Sequence, residues 1–148
     1  MSFIYHTIIG FAILVASPVI ALRAIFSSNF RSDFLKRIFG YKLLKPLNDC
    51  IWIHAASVGE VKLGETLISA LKEKGETRPI ILSTFTSTGF DQAKKDGVAH
   101  VFIMPPDFFL WVNSLLNRLC PAMLILIEAE MWPGLISECN RRKIPVLL

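Results

Sequence analysis

The feature that most constrains this chain is a series of short apolar runs in residues 50–148, each separated from the next by a helical pattern. Strands are predicted at residues 51–55, 80–85, 100–104, 122–127 and 144–148, and helices at 61–74, 90–96, 108–119 and 133–143. The runs are continuously apolar, which is typical of strands buried on both faces of a parallel sheet. The alternation therefore predicts an α/β fold with a Rossmann-like parallel sheet covered by helices.

Four polar motifs follow the predicted strands, and each stands where a strand gives way to the next segment. They are SVGE (57–60), TSTG (86–89), PPD (105–107) and EAEMWPG (128–134). In parallel sheets of this kind the ligand site lies beyond the carboxyl ends of the strands. We therefore expect the four motifs to meet at one edge of the sheet.

Glu60 is a lone acid at the turn from the first strand into the first helix of the sheet domain, and two roles fit it. Ser57 and Glu60 have the spacing of a capping box, in which the acid folds back on a backbone amide. A carboxylate on a strand-end loop can also act as a general base that takes a proton from a sugar hydroxyl. The local pattern alone favours the cap.

Other candidate residues also lie at strand ends. Glu128 and Glu130 are spaced two apart, so they point the same way if the strand continues through them. Thr86 and Thr88 belong to a hydroxyl-rich turn that suits a phosphate or sugar, although the local pattern favours an ordinary turn and helix cap. His54 is positioned to orient an acid, or it is a structural histidine.

The N-terminus predicts a membrane attachment. Residues 3–22 carry no formal charge and are long enough to cross a bilayer as a helix. Basic side chains follow at Arg23, Arg31, Lys36, Arg37, Lys42 and Lys45. We expect a membrane anchor at 1–26 and a basic juxtamembrane segment at 27–49, with the rest on the cytoplasmic side by the positive-inside rule. A helix lying in the membrane interface and a cleaved signal peptide are the alternatives.

Charge and cysteine content narrow the function classes. The formal net charge of +4 suits an anionic partner without choosing among nucleic acid, phospholipid and a phosphorylated substrate. Cys50, Cys120 and Cys139 have no zinc or disulfide spacing. Neither G-x-G-x-x-G nor a Walker A pattern occurs, which counts against a soluble nucleotide-binding domain of the Rossmann or P-loop type.

Taken together, the motifs resemble a known family. HAASVGEV (54–61), STFTSTGF (83–90), MPPD (104–107) and IEAEMWPGLI (127–136) have the order and spacing found in bacterial 3-deoxy-D-manno-octulosonic acid (Kdo) transferases. The resemblance covers essentially the whole chain, but only the N-terminal half of that family's architecture. Residues 50–148 therefore resemble the acceptor-binding domain of a GT-B glycosyltransferase, and we expect the donor domain to be missing.

The resemblance implies transfer of Kdo from CMP-Kdo to a lipid A precursor in lipopolysaccharide core biosynthesis, at the cytoplasmic face of the inner membrane. It implies no cofactor, no active-site metal and no nucleic-acid partner. By the same resemblance Glu60 is the proton acceptor and Glu130 stabilises the transition state. We expect acceptor-binding residues at Ser57, Gly59, Thr86, Thr88 and Glu128. The alternative is a truncated, non-catalytic membrane module that binds a lipid A precursor or a separate donor domain.

The sequence departs from the family pattern at two positions that matter here. Ser87 stands where proline is usual, and Gly134 stands where asparagine is usual. Both departures put the details of acceptor binding in question without changing the class.

Overall fold

The structure is a computed structural model that describes residues 2–93, 97–128 and 132–148, without the side chains of residues 2 and 3. Its helices are α1 (Ser2–Phe26), α2 (Ser28–Phe39), α3 (Val58–Glu73), α4 (Ser87–Gln92), α5 (Phe109–Leu119) and α6 (Pro133–Arg141), with a 3-10 turn at Gly40–Leu43. Its strands are β1 (Cys50–His54), β2 (Ile80–Thr84), β3 (His100–Ile103), β4 (Pro121–Leu126) and β5 (Val146–Leu147).

The five strands form one sheet in the order β3-β2-β1-β4-β5, and every neighbouring pair is parallel. The predicted parallel α/β fold is therefore confirmed. All strands end at the same side of the sheet, which we call the carboxyl edge. β1 lies at the centre, so the SVGE motif that follows it is placed in the middle of this edge.

Two apolar cores explain why the strands are continuously apolar. On one face, Trp52 and Ile81 pack with α5 and α6 residues such as Leu115 and Leu135. On the other face, Ile53 and Leu82 pack against α3. Successive strand residues point to opposite faces, so both must be apolar when both faces are covered. Each fully buried aliphatic side chain contributes roughly 1.5–3 kcal/mol.

The start of α4 differs from the prediction. The TSTG segment was expected to be a turn before a helix at residue 90, whereas α4 begins at Ser87. The physical reason is an N-cap, because the Thr86 side chain accepts a hydrogen bond from the Gly89 N–H at 3.0 Å.

The basic segment at 27–49 is largely structured. α2 begins after Ser27, whose hydroxyl accepts a hydrogen bond from the Phe30 N–H at 3.3 Å. Ile38 at the end of α2 is buried, and Tyr41 in the 3-10 turn belongs to the core shared with α5 and α6. Arg37 donates to the Phe85 and Met104 carbonyls at 2.6 Å and 3.1 Å. The segment thus packs against the carboxyl edge before β1 begins.

α1 is the most apolar element. Within the described part of the chain, it is the one helix long and apolar enough to cross a membrane, over Ile4–Phe26. Most of its large apolar side chains are exposed, whereas Tyr5 and His6 in its first turns are half-buried against the domain.

Candidate functional site at the carboxyl edge

Glu60 lies in the first turn of α3, directly beyond the end of β1. Its side chain is only 7% exposed. The Glu60 N–H donates to the Ser57 hydroxyl at 3.3 Å, while Glu60 Oε2 accepts from the Ala56 N–H at 2.8 Å. This is close to the predicted capping box, but the acid binds the amide one residue before the N-cap. No described residue donates a hydrogen bond to Oε1, so one carboxylate oxygen is left for other chemistry.

Ala56 joins two of the four motifs that were predicted to meet, SVGE and TSTG. Its N–H binds Glu60, and its carbonyl accepts from the Phe85 N–H, the Thr86 N–H and the Thr86 hydroxyl, each at 3.3 Å. The loops after β1 and β2 are therefore fixed to each other through one residue. Glu60 binds the N–H of Ala56, and Thr86 binds its carbonyl.

The remaining small residues of these motifs present polar groups at the surface. Ser57, Gly59 and Thr88 are exposed. The Thr88 hydroxyl is 3.3 Å from Thr86 Oγ1, so the two threonines form a continuous hydroxyl pair at the start of α4. The exposed hydroxyls and the buried acid belong to the same edge.

The acids after β4 are placed differently from each other. β4 ends at Leu126, and Glu128 is exposed with a left-handed backbone, φ 65°. The expectation that Glu128 and Glu130 point the same way required the strand to continue through them. The strand ends before Glu128, so this condition is not met. Glu130 lies outside the described residues. The segment is nevertheless fixed to the edge, because the Ile127 N–H donates to the His54 carbonyl at 2.9 Å.

His54 is the last residue of β1 and is held from one side. Its Nδ1 lies 2.8 Å from Ser83 Oγ, and the Trp52 indole N–H donates to the same oxygen at 2.7 Å. The Ser83 hydroxyl thus lies between the two rings, accepting from the Trp52 indole and hydrogen-bonded to His54 Nδ1. His54 Nε2 is buried, and no described residue forms a hydrogen bond with it.

The charge state of His54 follows from its burial. Burial lowers the pKa of His54 to about 4, although the negative charge of Glu60 and a hydrogen bond to the backbone of Ser83 oppose the shift. The imidazole is therefore neutral at neutral pH. Consequently Glu60 has a polar, uncharged neighbour in place of an ion-pair partner.

An aromatic cluster connects this site to α2. The Trp132 ring meets His54 at 5.1 Å and Phe85 at 5.5 Å between ring centroids. The Arg37 guanidinium lies 4.5 Å from the centre of the Phe85 ring. Sequence reasoning counted Arg37 only as a juxtamembrane charge. Its carbonyl partners belong to distant loops, and nothing in the local pattern identifies them.

Asp107 is the last residue of the PPD motif, and the structure shows that it caps a helix. Its carboxylate accepts from the Gly134 and Leu135 N–H groups at 2.7 Å and 2.8 Å, and so caps α6. The Tyr5 hydroxyl of α1 donates to the same carboxylate at 2.9 Å. An indication was available in the sequence, because Trp132 at the N-cap position of α6 cannot supply a capping oxygen.

The two departures from the family pattern have local explanations. Ser87 occupies the first position of α4, where proline is also well suited because its missing N–H has no helical partner. A Cβ at Gly134 would lie 2.6 Å from Asp107 Oδ1 and 2.9 Å from His6. Glycine thus allows the close approach of the Asp107 carboxylate and of α1.

The described residues contain no group of three histidine, cysteine, aspartate or glutamate side chains that could hold a metal ion. The described edge presents a carboxylate, hydroxyls and backbone amides. A parallel sheet with such groups beyond β1 and β2 defines an α/β domain whose ligand site is expected at its carboxyl edge.

Comparison with known proteins identifies the family within that class. Residues 32–148 match the sequence model of a family described as 3-deoxy-D-manno-octulosonic-acid transferase (kdotransferase). The chain belongs to this glycosyltransferase family.

Individual relatives agree. The chain is 31% identical over 144 residues to a 3-deoxy-D-manno-octulosonic acid transferase of Haemophilus influenzae, covering 92% of this chain and 34% of that protein. It is also 31% identical over 128 residues to a bifunctional glycosyltransferase/methyltransferase of Fusobacterium nucleatum, covering 80% of this chain and 20% of that protein. A Bordetella pertussis 3-deoxy-D-manno-octulosonic acid transferase is 31% identical over 116 residues, covering 74% and 27%. The matches thus span between a fifth and about a third of these relatives.

Proposed function

We propose that this chain is the acceptor-binding part of a glycosyltransferase that moves Kdo from CMP-Kdo to a lipid A precursor in lipopolysaccharide biosynthesis. The observation that carries the proposal is the placement of Glu60. It is a buried carboxylate at the centre of the carboxyl edge, oriented by the Ala56 N–H at 2.8 Å, with Oε1 free of described donors. Family membership supports the reaction class.

In the proposed reaction, Glu60 accepts the proton of the attacking acceptor hydroxyl. The hydroxyl oxygen forms a bond to the anomeric carbon of Kdo, and the bond from that carbon to the CMP phosphate breaks with its electron pair on the phosphate. Proton transfer of this type contributes typically 10²–10⁴-fold to a rate. The Ala56 hydrogen bond supports this role because it fixes the carboxylate without occupying both oxygens.

The remaining site assignments belong to the same proposal. Glu130 stabilises the transition state, an assignment that rests on the motif alone. Ser57, Gly59, Thr86, Thr88 and Glu128 bind the acceptor. Support comes from their positions, since all five follow β1, β2 or β4 and four of them are exposed.

The proposal also includes the organisation of the chain. Residues 1–26 attach it to the cytoplasmic face of the inner membrane, 27–49 form a basic segment, and 50–148 form the acceptor domain. The relatives are about three to five times longer than the matched stretch, which leaves room in them for a donor-binding domain.

A transfer assay tests the class. The chain is expressed alone and joined to the C-terminal two-thirds of the Haemophilus influenzae relative, and transfer of labelled Kdo to a lipid A precursor is measured in membranes. We expect transfer by the joined protein that requires both CMP-Kdo and the precursor. An inactive joined protein that still folds would contradict the proposal. A control in which Glu73, an exposed residue of α3, is changed to Gln should transfer normally.

The alternative is a non-catalytic module. Such a module binds the lipid A precursor, or a separate donor domain, without turnover. Binding of the precursor by a folded chain whose joined form transfers nothing would select this function over the first.

A further inference from the structure

We propose that Arg37 is a positioning residue for Glu60, an inference that rests on the proposed function of Glu60 as the proton acceptor. Three consecutive contacts connect the two side chains. They run from Arg37 to the Phe85 carbonyl, from the Phe85 N–H to the Ala56 carbonyl, and from the Ala56 N–H to Glu60. The basic segment before β1 thus supports the site itself.

The end of α2 brings Arg37 to the carboxyl edge. Ile38 and Tyr41 are both buried and fix this part of the chain against the domain. Arg37 Nη1 donates to the Met104 carbonyl at 3.1 Å, and Nη2 donates to the Phe85 carbonyl at 2.6 Å. Phe85 and Met104 are the first residues after β2 and β3. One guanidinium therefore bridges the carboxyl ends of two neighbouring strands.

Phe85 is the point at which the domain stops supporting this loop by packing alone. Ser83 and Thr84 at the end of β2 are 0% exposed, whereas Phe85 is 43% exposed. The Arg37 guanidinium also lies 4.5 Å from the centre of the Phe85 ring, at a distance typical of a cation–π contact. The carbonyl and the ring of Phe85 are therefore both held by one side chain.

The position of this loop reaches Glu60 through Ala56. The Ala56 carbonyl accepts from the Phe85 N–H, the Thr86 N–H and the Thr86 hydroxyl, each at 3.3 Å. These hydrogen bonds are long, so a further displacement of the loop would break them. The Ala56 N–H donates to Glu60 Oε2 at 2.8 Å, a charge-assisted bond that orients the carboxylate.

Arginine is suited to this bridge and lysine is not. The guanidinium is a planar fork with donors in fixed directions, whereas the lysine ammonium is a compact charge on a flexible stem. Arg37→Lys therefore keeps the positive charge and removes the fork. Lys36→Gln is the matched control, because it removes a charge from an exposed neighbouring position of α2 and leaves Arg37 in place.

Single-turnover Kdo transfer by the joined protein tests the role. Since small misplacements of reacting groups are costly, we expect Arg37→Lys to lower the rate at saturating acceptor by about 10-fold. The acceptor concentration that gives half-maximal rate should stay the same, and Lys36→Gln should keep the full rate. A higher half-maximal concentration at an unchanged rate would assign Arg37 to binding of the anionic acceptor and overturn the proposal.

A double variant shows whether Arg37 acts through Glu60. In a Glu60→Gln background, Arg37→Lys should lower the rate no further, and two independent losses that multiply would overturn the proposal. Failure of the proposed function is a separate result, in which Glu60→Gln alone keeps the full rate. Failure of the present inference is an unchanged rate in Arg37→Lys beside an impaired Glu60→Gln.

Amide hydrogen exchange tests the same contacts without turnover. It is measured by NMR on the ¹⁵N-labelled chain in detergent, with and without Arg37→Lys. We expect the Ala56 and Thr86 amides to exchange about 10-fold faster in the variant, because their loop opens more often. The amides of Ile68 in α3 and Leu82 in β2 should be unaffected. Unchanged exchange at Ala56 would overturn the proposal, and so would equal acceleration at all four amides, which indicates general destabilisation.

Discussion

At the scale of single residues, the site is defined by which groups are charged. Glu60 and His54 are neighbours, yet the pKa of His54 is lowered to about 4 by burial and the imidazole stays neutral. Its Nδ1 is hydrogen-bonded to the hydroxyl of Ser83, which in turn accepts from Trp52. The histidine thus gives the edge an uncharged polar group beside a carboxylate.

The lowered pKa of His54 makes stability depend on pH in a defined window. The folded-state pKa of about 4 lies below the unfolded value of 6.5, so the unfolded state binds the proton first as the pH falls. Stability from the neutral imidazole is fully present above pH 6.5 and is lost between 6.5 and about 4. The loss is on the order of 3 kcal/mol.

Denaturation in detergent at several pH values, followed by tryptophan fluorescence, measures this loss. A His54→Gln variant should lack the loss in this window. The His54 ring carbons should show no NMR titration above about pH 5. A midpoint near 6.5 would refute the buried neutral imidazole.

Gly134 is the second residue with a sharp prediction. Gly134→Ala places a methyl group 2.6 Å from Asp107 Oδ1, so the cap of α6 or the first turns of α1 must move. We expect a loss of about 1–3 kcal/mol in the free energy of unfolding, as for overpacking elsewhere. Gly59→Ala is the matched control, because its Cβ meets no atom closer than 3.8 Å. Equal stabilities of the two variants would show that the space at Gly134 is not limiting.

At the scale of elements, the sequence predicted all five strands and most helices because both faces of the sheet demand apolar residues. It missed the start of α4, since Thr86 and Ser87 are both plausible hydroxyl caps and only the contact with Ala56 selects Thr86. It also gave Asp107 no role, because that cap acts on amides 27 and 28 residues away. Local patterns cannot identify a cap supplied by another loop.

Asp107 should therefore matter to two elements at once. Asp107→Ala leaves the Gly134 and Leu135 amides without their acceptor and removes the partner of Tyr5. We expect a loss of about 1–3 kcal/mol, measured as a shift in the denaturation midpoint. Tyr5→Phe removes one of the three hydrogen bonds and should cost less. Asp91→Ala, at an exposed position of α4, should change little. A neutral Asp107→Ala would contradict the capping role.

At the scale of the whole molecule, composition predicted a membrane helix but could not place it. The apolar run of α1 is long enough to cross a bilayer, and composition does not say which parts of the domain the helix contacts. The contacts of Tyr5 with Asp107 and of Arg37 with Met104 join residues far apart in the chain, so no local pattern indicates them. In the same way, the motifs predicted which loops meet, while Ala56 as their junction emerged only from the fold.

The central claim is that Glu60 accepts the proton in sugar transfer. Its most direct test is the single-turnover rate of Kdo transfer by Glu60→Gln in the joined protein, with Glu73→Gln as the matched control on α3. The account predicts a rate lowered by about 10²–10⁴-fold, with the fold and binding of the lipid A precursor retained. A rate equal to that of the Glu73→Gln control would contradict the claim and leave Glu60 as a helix cap alone.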